Sequence, residues 1–382
     1  MTAERPLLNL ERQAQAKVYS RLRRRVGLIE MALGLAYLVL WIETGTALQL
    51  ADWIDEAFPS TWPVSLILMA GCLALPWFLI TLPFGYYAGF HLPHRFGQST
   101  QSIGAWLLDQ AKSLLVGVCL GLPLLVGLYA VMRARPDAWW AIAGAGYLAF
   151  TVVLSILAPI VLLPLFNRFR PLGDEHADLA DRLMRLSDAA GRRVRGVYAF
   201  DMSRRTKSAN AALVGLGRTR RIVLGDTLLD EFPSDEIEAV LAHELGHHVH
   251  GDIPLGVLAG AGVALMELWI ADAVLAAVAG GALPAASDPA GLPILLLVFS
   301  VLGFLVAPLE NAFSRWRERQ ADAFSLTLIG RPQAFADAMT RLANQNLADA
   351  NPPRWAVVLF GTHPPLGERI RFAETAAGPA SG

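Results

Sequence analysis

The stretch SDEIEAVLAHELGHHVH, residues 234–250, leads after two residues into IPLGVLAGAGVALMELWIADAVLAAVAGGAL, residues 253–283. In the first segment Ile237, Val240, Leu241, Leu245 and Val249 recur at helical spacing, with polar residues between them. Ser234 is a natural helix start, and Asp235 and Glu236 suit the positive end of a helix dipole. The second segment is long and apolar enough to cross a bilayer, which takes roughly 20 such residues. A polar-flanked helix fed directly into a membrane span is the pattern around which the rest of the chain is read.

Composition agrees. The 382 residues are 54% hydrophobic and only 17% charged, where a soluble globular chain has about 25% charged residues. A disulfide scaffold, a disordered tail protein and an ordinary cytosolic enzyme are thereby disfavoured. Five further apolar runs stand out: Val26–Ile42, Pro63–Phe90, Ser113–Met132, Trp139–Phe166 and Pro293–Phe313. About six spans are expected, the second kinked by Pro76 and Pro83. Cys72 and Cys119 lie inside apolar runs, so neither a disulfide nor a cysteine metal knuckle is expected. A net charge of −1 implies no nucleic-acid partner.

The basic residues set an orientation. Arg12, Lys17, Arg21, Arg23, Arg24 and Arg25 precede the first span, whereas the loops Glu43–Trp62 and Leu283–Leu292 carry no Arg or Lys. Arg133 and Arg135 alone disagree. Both termini and the polar insert are therefore expected on the cytosolic face. Arg dominates so heavily that Lys17, Lys112 and Lys207 are the only lysines, a composition that suits a GC-rich bacterial genome and hence a bacterial plasma membrane.

The expected divisions are an N-terminal membrane part (1–166), a cytosolic insert (167–252), a second pair of spans (253–313) and a C-terminal cytosolic part (314–382). Within the insert, Asp178–Ala190 reads as an amphipathic helix and Val194–Phe200 as a strand. Ala211–Val214 and Arg221–Leu224 read as a hairpin about Gly215–Thr219. The fold class is thus predominantly α: a polytopic helical membrane protein carrying a small cytosolic domain with a β-hairpin.

The chemistry lies in His243-Glu244-Leu245-Gly246-His247. Residues i and i+4 share one helix face, so two imidazoles there can hold one Zn²⁺ at about 2.0–2.1 Å. The adjacent Glu244 is placed to serve as a base for water activated by the metal. Four of the eight histidines lie between His243 and His250, so a surface histidine cluster is the plainer alternative. His248 and His250 are read as outside the metal set. Catalytic zinc takes three protein ligands, the third brought in by folding. Glu318 is the best candidate, and Asp322, at i+4 from it, could accept a hydrogen bond from a ligating imidazole. The same spacing also fits half of a surface ion pair. Within the spans, Glu267, Asp272 and Glu310 line a wet cavity or bond between helices.

Four patches carry a wider likeness. The first is LPFGYY at 82–87 with HRFG at 94–97; the second is APIVLLPLFNRF at 158–169. The third is SANA at 208–211 with RIVLGDTLL at 221–229. The fourth is SRWRERQAD at 314–322 with THPPLGER at 362–369. In them, in order over roughly residues 10–372, the chain resembles the membrane zinc metalloproteases typified by the type I CAAX prenyl protease of the endoplasmic reticulum. That resemblance implies a zincin-like protease domain, one Zn²⁺ per chain, His243, His247 and Glu318 as ligands, and Glu244 as the base. It implies that Asn210 and Ala211 lie on an edge strand that pairs with the substrate backbone, that His363 stabilises the oxyanion, and that Arg369 helps build that wall. It implies a helix-walled chamber in the membrane and substrates that are prenylated C-terminal peptides or misfolded or stalled membrane proteins. The eukaryotic members carry an extra N-terminal span and a longer insert before the zinc helix; six spans are expected here, not seven, without that insert.

Read from the residues alone, His363 is a loop residue before two prolines and Arg369 a partner for a nearby carboxylate. Two other functions compete. An intramembrane-cleaving zinc protease would place its zinc motif inside a span, whereas this motif is polar-flanked. A non-catalytic metal-binding scaffold or transporter would have no use for Glu244. Neither oligomeric state nor cleavage position is legible.

Overall fold

The computed structural model describes residues 5–378 apart from 59–60, 216, 282 and 284. Among the described residues, six helices are long and apolar enough to cross a membrane: Leu10–Glu43, Trp62–Arg95, Ile103–Ala134, Trp139–Phe166, Asp252–Val278 and Pro289–Ile329. They coincide with the six apolar runs. The first and last extend well beyond them, because their charged ends continue the same helices. At most 22% of any span's most apolar window is buried against protein. Their outward faces leave side chains such as Leu115, Val153 and Leu305 exposed, as an apolar solvent permits. A cavity of about 740 Å³ lies between the first, second, third and sixth of them, beside Tyr37, Trp77 and Ser300.

The second span runs without a break through Pro76. Its departure from α geometry comes at Tyr87–His91, a π-turn just past Pro83. A second π-turn, Ala158–Leu162, contains Pro159. Proline removes one rung of the hydrogen-bond ladder, and a wider turn lets the helix continue. The loop expected at Glu43–Trp62 contains a helix, Thr46–Ala57. It seats Ala47 and Ile54 in an apolar cluster with Leu66, Met69, Tyr129 and Trp139. Leu283, expected at the end of the fifth span, belongs to that cluster instead; the helix stops at Val278 and turns at Gly280. Asp272 accepts a hydrogen bond from Trp139 Nε1 at 2.6 Å, the interhelical role open to it from the sequence.

At the other end of the bundle the polar insert and the C-terminal part form one unit. A four-stranded sheet comprises β1 (Phe169–Pro171), β2 (Val197–Phe200), β3 (Ala211–Val214) and β4 (Arg221–Gly225), in the order β1-β2-β4-β3. The expected hairpin is β3–β4, antiparallel. The three-residue β1 and the parallel β2–β4 pair have no local sequence signal. β3 is an edge strand. The amphipathic helix forms at Ala177–Ala189 and buries Leu183 with Ile222, Leu224, Ile237, Leu241, Leu245 and Phe335.

The helix Ser234–His250 lies in the centre of this core, with ten of its residues buried. Charged pairs fix its first turns. Glu238 meets Arg182 Nε at 2.6 Å and also Arg331, and Glu236 meets Arg341 Nε at 2.8 Å. The helix stops at Gly251, whose φ of 69° suits glycine far better than any side chain. The basic arm is more than an orientation signal. Arg12 Nε donates to the Asn344 carbonyl at 2.6 Å, and the Gln13 side chain bonds both Ala348 and Ala350, so the arm docks on the C-terminal part.

Two outcomes follow. In a chain freed of Cys72 and Cys119, cysteines introduced at Ser287 and at the exposed Arg185 should react with a membrane-impermeant thiol reagent from opposite faces of sealed vesicles; same-side labelling contradicts this topology. The second concerns pH. Burial pushes the Glu238 carboxyl up, but Arg182 and Arg331 more than offset it and hold it below the usual carboxylate range. A folded pKa below the unfolded value of about 4.3 stabilises the fold above that pH, and the stabilisation is lost as pH falls through the folded pKa. Glu238→Gln should lower stability at neutral pH by about 2 kcal/mol and flatten the loss below about pH 4, read from thermal unfolding in detergent.

Candidate metal centre and active site

Three side chains converge where the helix Ser234–His250 crosses the long helix Leu292–Ile329. Nε2 of His243 and of His247 are 3.1 Å apart. Glu318 places Oε2 at 3.3 Å from the first and Oε1 at 3.4 Å from the second. Ligands about 2.1 Å from a tetrahedral zinc lie roughly 3.4 Å from one another, so this triangle has the size of a metal site. Oε2 of Glu318 is buried without a hydrogen-bond partner among the described residues. A buried carboxylate oxygen that faces two imidazoles and has no donor suits a cation. The charge balance agrees: burial and Arg369 push the His243 pKa down, yet Asp322 and Glu318 raise it to about 9. The pocket holds more negative than positive charge.

The crossing is close because Gly246 has no side chain. A Cβ there would lie 3.0 Å from Ala321 Cα and 3.2 Å from its carbonyl oxygen. The motif's glycine thus lets the distant Glu318 reach the two imidazoles.

Each imidazole is held from behind. His243 Nδ1 donates to Asp322 Oδ1 at 2.8 Å, as the sequence suggested. Arg369 forks onto the same carboxylate, Nε to Oδ2 at 2.9 Å and Nη2 to Oδ1 at 2.5 Å. Arg369 is 7% exposed, and its guanidinium bonds a carboxylate, the plainer of its two sequence readings. His247 Nδ1 donates to Asp252 Oδ2 at 2.6 Å, and Arg317 also bonds Asp252. Sequence reasoning missed Asp252. The signal was present: an acidic residue five positions after His247, immediately past the glycine that ends the helix. In the neutral form of each ring, an Nδ1 that donates to its carboxylate leaves Nε2 as a lone pair facing the site. Burial lowers the His247 pKa, which favours the neutral imidazole that a metal needs.

Glu244 has no hydrogen-bond partner among the described residues, and burial raises its pKa. His363 stands across the site with Nε2 3.2 Å from Glu318 Oε1, and Thr362 Oγ1 lies 2.8 Å from its Nδ1. Its loop is fixed by Arg315, whose Nη1 donates to Val357 O at 2.8 Å and Gly361 O at 2.5 Å. Asn311 Nδ2 donates to Leu359 O at 2.8 Å. Arg315 lies in the quoted motif, but its role was not legible.

Immediately before β3, Asn210 is paired inward: its carbonyl accepts from Gly225 N–H at 2.9 Å. Alternation then turns Ala211 and Leu213 to the open side. His248, read as outside the metal set, donates from Nε2 to the Leu213 carbonyl at 2.9 Å. Asn346 takes both main-chain groups of Ala209, at 2.7 and 3.1 Å. Between these two stops the main-chain groups without a partner among the described residues are the N–H and C=O of Ala211 and the N–H of Leu213. Asn210 offers its exposed side chain rather than its carbonyl. His250 is exposed, its ring beside Phe324.

Sequence comparison bears on this geometry. Residues 174–377 match the profile of peptidase family M48, and residues 4–168 match that of the CAAX prenyl protease N-terminal region with five membrane helices. The chain belongs to peptidase family M48. Within the second match this M48 chain has four candidate spans. It is 29% identical over 366 residues to the uncharacterized metalloprotease YhfN of Bacillus subtilis, covering 94% of this chain and 85% of that one. It is 31% identical over 316 residues to CAAX prenyl protease 1 of Saccharomyces cerevisiae, covering 76% and 68%. The crystal structure of S. mikatae Ste24p superposes with a TM-score of 0.81 at 25% identity, covering 94% of this chain and 88% of that one. The M48 chain is an integral-membrane metalloprotease with a Ste24-like fold.

The crossing makes one prediction. Gly246→Val should force the two helices apart and drop the bound metal well below one per chain, measured by elemental analysis of folded, monodisperse protein. Full metal content would show that the contact is dispensable.

Proposed function

We propose that this chain is a zinc endopeptidase that opens peptide bonds at the cytosolic face of a bacterial plasma membrane. The observation that carries the proposal is the triangle of His243, His247 and Glu318 beside an unpaired Glu244. Two imidazoles and a carboxylate with a fourth position open are the donor set of catalytic zinc. When bound, zinc polarises the scissile carbonyl and lowers the pKa of a water molecule to about 7.

The protein's own groups do the rest. The open main-chain groups of Ala211 and Leu213 hold the substrate backbone by strand addition, which aligns a peptide with little demand on its side chains. Glu244 accepts the proton of the attacking water and delivers it to the leaving amine nitrogen. His363 Nε2 donates to the carbonyl oxygen as negative charge develops there. Asp322 and Asp252 keep the two imidazoles oriented. Arg369 acts on the site through Asp322, and Arg315 through the loop that carries His363.

The substrate class rests on the relatives. Several are named CAAX prenyl protease 1, which supports lipidated C-terminal peptides, and the apolar cavity among the spans suits a lipid tail. The basic arm before the first span supports the cytosolic placement. The competing intramembrane reading loses ground because the helix Ser234–His250 is not one of the six candidate spans.

Glu244→Gln should keep zinc near one per chain while peptide cleavage falls by at least about a thousandfold. Undiminished cleavage would refute the base. Glu318→Ala should lose the metal, and retained stoichiometric zinc would remove it from the ligand set.

A further inference from the structure

Two cavities meet at Asn346, the residue that stops the open edge of β3. One, of about 600 Å³, opens beside His363 and is lined by Arg23, Arg24 and Asp349. The other, of about 320 Å³, lies beyond it and is lined by Gln98, Arg205 and Ser208. Tyr19, Arg23 and Asn346 border both. A path therefore leads from the metal centre, past the end of the edge strand, to Gln98.

Gln98 is 5% exposed, yet neither its Nε2 nor its Oε1 has a hydrogen-bond partner among the described residues. A buried carboxamide with both ends unbonded is rare, because each end has given up water for nothing. Its backbone is held firmly. The N–H donates to Pro93 O at 2.7 Å, and the carbonyl accepts from Lys207 N–H at 3.2 Å and Thr206 Oγ1 at 2.9 Å. A fixed donor–acceptor pair is the complement of a peptide group.

The charges nearby are unequal. Arg205 is matched by Asp109, Nε to Oδ2 at 2.7 Å and Nη2 to Oδ1 at 3.1 Å. Asp349 caps the Asn351 N–H at 3.1 Å. Arg23 and Arg24 touch only the rings of Tyr19 and Trp355 and make no ion pair among the described residues. Direction completes the picture. A peptide paired antiparallel to β3, the stronger ladder, runs from Leu213 towards Ala211. Asn346 blocks the edge at Ala209, so the C-terminal end of the peptide leaves the strand there and enters the cavities.

We propose that Arg23 and Gln98 form a subsite for the end of the substrate, the guanidinium taking the free C-terminal carboxylate and the carboxamide the last peptide group. The enzyme then measures its cut from the C-terminus. This rests on the peptidase reading above and adds two residues that set where the cut falls.

Binding tests the subsite without turnover. In the Glu244→Gln background, fluorescence anisotropy would compare matched peptides that end in a carboxylate or in a carboxamide. The acid should bind about tenfold tighter, the worth of one charge-assisted pair. Adding Arg23→Gln, an exposed position on the first helix, should erase that difference by weakening the acid alone. Adding Gln98→Leu should weaken both peptides. In the wild-type enzyme, a peptide lengthened at its C-terminus should be cut at a position that moves with the new end, read by mass spectrometry. Equal affinity for acid and amide, or a preference that survives Arg23→Gln, overturns the subsite even if the enzyme cleaves both peptides. Preferential acid binding without any cleavage by the wild type would instead retain the subsite and refute the peptidase reading.

Discussion

The approach of two helices at Gly246 and Ala321 is the constraint on which the site depends. His243 and His247 are neighbours by helical periodicity, but Glu318 is about seventy residues further along the chain. It reaches them because a Cβ is missing at the point of closest contact. The long helix that carries Glu318 is also the sixth candidate span, so one continuous helix joins the candidate ligand set to the apolar bundle. The Gly251 turn does the same on the other side: it starts the fifth span at Asp252, whose carboxylate orients His247. Two spans thus enter the bilayer directly from the metal centre.

Charge is arranged with equal economy. Asp322 and Asp252 each hold an imidazole and are each held by an arginine, Arg369 and Arg317. A buried carboxylate left alone would be costly, and a bonded one orients its partner. Arg315 spends its charge on two carbonyls of the loop that presents His363. Around β3 the polar groups limit instead of extend: His248 and Asn346 cap the open edge so that only a short window can pair with another chain. An unprotected edge invites indiscriminate pairing. A capped one leaves only the short window to which the proposed substrate backbone would pair.

Much of this was legible. The six spans were readable because a bilayer demands a length of apolar sequence and little else. The His243–His247 pair was readable because both ligands lie on one helix. Glu318 and Asp322 were readable only as candidates, since i,i+4 spacing also describes a surface ion pair, and the family resemblance favoured the metal reading without placing either side chain. Arg315, His248 and Asn346 acquired roles only in three dimensions, because each bonds main-chain groups that no side-chain pattern reveals. The three-residue β1 is too short for periodicity to register, and the parallel pairing of β2 with β4, both read as strands, escaped notice because the partners are distant in sequence.

By itself the amino-acid order determined the local features, those set by residue type within a few turns of chain: apolar spans, a polar-flanked helix with two imidazoles on one face, an adjacent carboxylate, a hairpin. The tertiary structure alone decided which distant carboxylates meet those imidazoles, which edge of the sheet stays open, and where a buried Gln98 is left without a partner. The physical reason is that hydrophobic periodicity is a short-range property of the chain, whereas close approach and hydrogen-bond satisfaction are settled only when whole helices pack.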